Sequence, residues 1–129
     1  MQNLSGEWNG TFRYPGDYFP ETPFVARIVE IAGQLSGTII EPSVEAGEPT
    51  LTALIRGVRN GNSVDFTKAY IGFRCGYETP VDYVGNLSGD GTAITGVWSL
   101  VEADGTFEMY RDPERKGMDE TRAVSSVER

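Results

Sequence analysis

Four short glycine-bearing dipeptides punctuate the chain: Gly33-Gln34, Asn60-Gly61, Asp90-Gly91 and Asp104-Gly105. Asn-Gly and Asp-Gly between alternating apolar residues are strong hairpin signals, because a tight two-residue turn needs positive φ and these residues tolerate it. Between the turns lie eight runs rich in Val, Ile, Thr, Phe and Tyr, at residues 5–14, 23–32, 35–41, 51–59, 62–70, 79–88, 92–102 and 106–111. That composition is a strand composition. No stretch before residue 112 sustains a helical period. The three remaining connections, 15–22, 42–50 and 71–78, are long. Consecutive hairpins make a meander, and a meander leaves two unpaired edges unless its first and last strands meet. The sequence therefore predicts an all-β fold: an eight-stranded antiparallel up-and-down β-barrel over residues 1–111. The turns at 33–34, 60–61 and 90–91 then share one end, and the three long loops share the other with the turn at 104–105. A mouth belongs at the loop-rich end.

Residues 112–129 hold nine charges and little large apolar surface, which predicts a polar tail, disordered or carrying a short helix from Asp119. The chain has no histidine, so Ser-His-Asp catalysis is excluded and the commonest zinc ligand is missing. No metal and no cofactor are expected. The net charge of −8 argues against a nucleic-acid partner, since phosphate binding needs a basic face. Cys75 is the single cysteine, so it cannot close an internal disulfide; it reads as a plain loop cysteine beside Arg74. The first five residues carry neither a charged nor an apolar leader region, and no apolar run approaches a membrane span of about 18 residues. A cytoplasmic protein with no membrane partner is the expectation.

Turns fix which residues face each other, and a strand's period of two then sorts each side chain to one face. An Asn60-Gly61 turn opposes Gly57 to Val64, Ile55 to Phe66, Ala53 to Lys68 and Leu51 to Tyr70, an inward set, leaving Arg56 and Asp65 outside. An Asp90-Gly91 turn places Leu87 with Ile94, Gly85 with Gly96, Tyr83 with Trp98 and Val81 with Leu100. An Asp104-Gly105 turn opposes Leu100 to Met109 and Trp98 to Arg111. In the first strand Trp8, Gly10, Phe12 and Tyr14 alternate inward. In the second, Phe24, Ala26, Ile28 and Glu30 make the larger apolar face, and a Gly33-Gln34 turn aligns it with Leu35, Gly37, Ile39 and Glu41.

The opening Leu4-Ser5-Gly6-Glu7-Trp8-Asn9-Gly10 resembles the Gly-x-Trp start of the calycin superfamily: lipocalins, fatty-acid-binding proteins and avidins. The resemblance covers residues 4–111 as architecture and a few positions as motif. In lipocalins that tryptophan closes the barrel floor beneath an arginine from the last strand. The resemblance thus implies Trp8 packed under Arg111 and a barrel of the small-molecule-binding kind. An avidin-type biotin constellation is not present, and neither are the lipocalin disulfides.

Two groups of candidate residues follow. Trp8, Arg111 and Glu30 read as a structural floor, with the guanidinium stacked on the indole and Glu30 paired with Arg111. Tyr14, Glu41, Lys68, Tyr70, Tyr83 and Trp98 point inward in the upper half: aromatic walls with a few convergent polar groups, as in small-molecule sites. An eight-stranded barrel is at the size where the interior can be filled or hollow. Lys68 would pair with Glu41 or meet a guest's acidic oxygen. The leading reading is a barrel that binds a small apolar or aromatic molecule. An enzyme using Tyr, Glu and Lys for isomerisation, cyclisation or decarboxylation is an alternative. A ligand-free module that pairs with a second copy, through an outer stripe of Val84, Val97, Val101 and Tyr110, is another.

Overall fold

The computed structural model describes residues 3–16, 20–42, 50–71, 79–101 and 103–112. Cys75 and the expected helix from Asp119 lie outside them. Eight strands form: β1 (Gly6–Arg13), β2 (Thr22–Ile31), β3 (Gln34–Pro42), β4 (Thr50–Asn60), β5 (Ser63–Tyr70), β6 (Val81–Leu87), β7 (Ala93–Ser99) and β8 (Asp104–Tyr110). Each pairs antiparallel with the next, and β8 pairs with β1 from Asn9↔Tyr110 to Arg13↔Thr106, closing the barrel. Closure removes both sheet edges.

The inner faces fall where alternation put them. Phe24, Ala26, Ile28 and Glu30 of β2 are all buried, while Val29 and Ile31 stand outside. Trp8, Phe66, Phe107, Ile94 and Met109 fill the middle and lower barrel. Burying each large apolar side chain contributes about 1.5–3 kcal/mol, and this stack is the chief source of cohesion.

Register departs from expectation in three hairpins. Ile31 faces Gln34, so the β2–β3 turn is Ala32-Gly33 and not Gly33-Gln34. Both turn residues take positive φ, 52° and 81°, as a type I′ turn requires. Asn60 faces Ser63, so the next turn is Gly61-Asn62. Each correction slides the pairing by two residues: Ile55 now faces Lys68, and Ala53 faces Tyr70. A slide of two preserves every face. The β6–β7 pairs are Leu87↔Ile94, Gly85↔Gly96 and Tyr83↔Trp98, as the Asp90-Gly91 turn predicts. That turn is held by Asp90, whose Oδ1 accepts the Thr92 amide at 3.1 Å and the Ser88 hydroxyl at 2.7 Å.

The largest correction is at β7–β8. Asp104-Gly105 is not a turn; it begins β8. The chain reverses earlier, with the Leu100 amide donating to the Ala103 carbonyl at 2.7 Å. Trp98 therefore faces Gly105 instead of Arg111, and Met109 faces Ile94 instead of Leu100. The physical reason is the indole. A Cβ on Gly105 would lie 2.6 Å from Trp98 Nε1 and 2.0 Å from the Arg13 carbonyl oxygen, so glycine here makes room for a ring. Val84 and Val97 do pair on the outer face. Tyr110 stands four residues along β8 from Thr106, the partner of Val97, so the expected apolar stripe is broken.

Candidate functional site

The closed end is built from chain that carries no strand pattern. Leu4, fully buried, plugs the floor. Its carbonyl accepts the Trp8 indole N–H at 3.0 Å, and its amide donates to Glu30 Oε1 at 2.9 Å. Arg111 lies over the Trp8 ring, with Cζ 4.6 Å from the centroid. Its guanidinium donates to the Gly91 carbonyl at 2.9 Å and the Asn3 carbonyl at 2.8 Å. The sequence-predicted floor residues are thus brought together around a segment whose part was not foreseen.

Glu30 has a partner beside the expected one. Arg59 Nε approaches its two carboxylate oxygens at 2.9 and 3.0 Å, and Arg111, the expected cation, also acts on the carboxylate through its charge. Arg59 shares parity with Ile55 and Gly57, so its inward position was readable. The Arg59 hydrogen bond, reinforced by the Leu4 amide, holds the Glu30 carboxyl below its ordinary value of 4.5 against the opposing effect of burial. A carboxyl depressed by folding stabilises above its unfolded value, and that stabilisation is lost as pH falls through the folded one. Below about pH 4.5 the wild-type melting temperature should therefore fall more steeply than that of Glu30→Gln. Parallel slopes in acid thermal melts would contradict this.

At the other end, three predicted residues form one hydrogen-bonded cluster. Lys68 Nζ is 3.0 Å from Glu41 Oε2, and the Tyr70 hydroxyl donates to the same oxygen at 2.6 Å. Lys68 and Glu41 are 2% and 4% exposed. The ammonium lies over the rings of Phe12, Tyr70 and Tyr83, with centroids at 4.6, 4.8 and 5.3 Å. Burial pushes the Lys68 amine down, against the opposing pull of Glu41. Burial likewise pushes the Tyr83 hydroxyl well above its ordinary range, so it stays protonated. Tyr83 stacks on Phe66 at 4.9 Å and meets Phe107 edge-on at 4.9 Å, which makes it core beneath the cluster.

Tyr14 and Trp98 form a second, adjoining group. Their rings meet edge-on at 5.0 Å and line a rim cavity of about 440 Å³ between Pro15 and the start of β8. The Trp98 indole N–H donates to the Arg13 carbonyl at 3.0 Å, so its ring is fixed. Phe12 joins the two groups: its ring is 6.2 Å from Trp98, 6.3 Å from Tyr14 and 4.6 Å from Lys68 Nζ. Alternation in the first strand marks Phe12 as inward, but nothing in the sequence marks it as the ring between charge and rim. A second groove of about 340 Å³ runs over Asn9, Val25 and Ile40 and reaches Phe24 and Glu41, so it borders the cluster on the β2–β3 side. Among the described residues no group of three His, Cys, Asp or Glu is placed to hold a metal ion.

No protein-family model matches the chain, and no curated protein matches it. Among solved structures it is similar to one described as a redesigned beta barrel, with a TM-score of 0.64 and 12% sequence identity, over 84% of this chain and 91% of that one. At that identity the likeness establishes the barrel fold.

Proposed function

We propose that this protein is a calycin-like barrel that binds one small apolar or aromatic molecule carrying an acidic oxygen, at its loop-rich end. The observation that carries this reading is the buried Glu41–Lys68–Tyr70 cluster. Replacing a buried ion pair by apolar residues of similar volume is often neutral or stabilising by about 1–4 kcal/mol, so a fold does not need one for its own sake. Sequences depart from what the fold alone favours chiefly where function requires it. The guest's ring packs on Tyr14 and Trp98. Its oxygen takes a second donor on the ammonium, which has three N–H groups and, among the described residues, one carboxylate partner.

The dye 8-anilinonaphthalene-1-sulfonate has both features, an aromatic body and an anionic oxygen. One dye per barrel should bind and shift tryptophan emission. The double variant Glu41→Leu/Lys68→Met should bind it about tenfold or more weakly, the cost of a lost charged hydrogen bond. Arg111→Ala, at the opposite end, should leave the affinity unchanged. Equal dye affinity in the wild type and the double variant would remove the cluster from the site.

A further inference from the structure

We infer that Lys68 is a carbonyl-reactive amine: Nζ condenses with the aldehyde of an apolar or aromatic guest to form an imine inside the barrel, with Glu41 and Tyr70 moving the protons. The inference rests on the binding reading, since the guest must first enter the loop-rich end.

Three observations carry it. First, the residue type is unexpected for an ion pair alone. Arg13, Arg27, Arg56, Arg59 and Arg111 occupy the other described basic positions, and the ion-paired ones among them use the guanidinium. Arginine suits a buried carboxylate partner better, but its proton does not leave; a lysine's does. Second, the nitrogen is desolvated. Nζ is enclosed by the rings of Phe12, Tyr70 and Tyr83, and a lysine in such a pocket is the kind that serves as an amine nucleophile. Burial lowers the charged form of Lys68 in the same sense. Third, the base and the acid are in place. Glu41 Oε2 is 3.0 Å from Nζ and 2.6 Å from the Tyr70 hydroxyl, so one oxygen joins the amine to a second proton carrier.

The step balances. Nζ passes one proton to Glu41, and its freed lone pair forms the N–C bond as the carbonyl π pair moves onto oxygen. That oxygen takes a proton from Glu41, which is recharged from the attacking nitrogen, with Tyr70 able to relay. Glu41 then protonates the new hydroxyl, which departs as water with the C–O bonding pair, and the nitrogen lone pair closes the C=N bond. The product is a protonated imine facing ionised Glu41. Amine and aldehyde have become imine and water, with no oxidant or reductant. Phe12, 8% exposed, is the ring a guest must move between the rim and Nζ.

The chain has two lysines, Lys68 and Lys116, so the site of reaction can be read directly. Full-length wild-type protein is incubated with trans-cinnamaldehyde at neutral pH, reduced with borohydride and mapped by peptide mass spectrometry. In parallel, the binding of cinnamate, which cannot form an imine, is measured by tryptophan fluorescence. The expected result is an adduct on Lys68 at least tenfold above that on Lys116 or the N-terminal amine, suppressed by excess cinnamate. Glu41→Gln should slow its formation at least tenfold. Lys68→Arg should abolish it while cinnamate still binds. Cinnamate binding with no adduct on Lys68 overturns this inference and leaves the binding reading standing. Neither binding nor adduct overturns both.

Discussion

Trp8→Ala is expected to lower the unfolding free energy by about 3–5 kcal/mol, the cost of truncating a large aromatic in a packed interior. Trp8 is fully buried and carries three jobs at once. Its ring fills the floor, its N–H satisfies the Leu4 carbonyl, and its face receives Arg111. Truncation therefore leaves a cavity, orphans a buried carbonyl and uncovers a guanidinium. Leu4 then loses one of the two hydrogen bonds that seat it, and its amide bond to Glu30 should weaken with it. A stability loss of this size is a large fraction of the total for a domain of ordinary stability, about 5–15 kcal/mol. Urea denaturation of the two proteins measures it. Wild-type stability in Trp8→Ala would mean that the floor does not close the barrel.

The second large effect is at the opposite end and has an unusual sign pattern. Lys68→Met should destabilise by about 3–5 kcal/mol, because it leaves the Glu41 carboxylate buried without its cation. Adding Glu41→Leu to that variant should return the lost stability, and the double variant should match or exceed the wild type by up to about 4 kcal/mol. Tyr70 tempers the gain, since its hydroxyl loses the 2.6 Å bond to Glu41. A thermodynamic cycle over the two single variants and the double isolates the coupling. Additive losses, with the double variant the least stable of all, would mean that the pair is there to hold the barrel together and not to meet a guest.

Much of this geometry was readable from alternation. A hairpin's inner face depends on register modulo two, so turns misplaced by an even number of residues still sort Lys68, Glu41, Tyr83 and Trp98 inward. The absolute register was not readable, because glycine serves two ends. Gly61 makes a turn, while Gly105 makes room for the Trp98 indole, and both follow a turn-forming residue in sequence. The Lys68–Glu41 pair was foreseeable from two opposite charges on inward positions near one end. The Glu30–Arg59 pair was missed because Arg111, on the neighbouring side of the floor, offered an equally plausible cation. Leu4 and Phe12 were missed as participants for a common reason: a period-two pattern places a side chain on a face but does not say what stands opposite it across the barrel. For the proposed guest the sequence offers only a chemistry, an acidic oxygen on an apolar or aromatic body.

Amide chemical-shift mapping on isotopically labelled wild-type protein, titrated with 8-anilinonaphthalene-1-sulfonate, tests the central claim most directly. Saturable shifts are expected at Phe12, Tyr14, Glu41, Lys68, Tyr70 and Trp98, with Leu4, Trp8, Glu30 and Arg111 unmoved. Shifts confined to the outer face around Val84 and Val97, or to the floor, would contradict that claim.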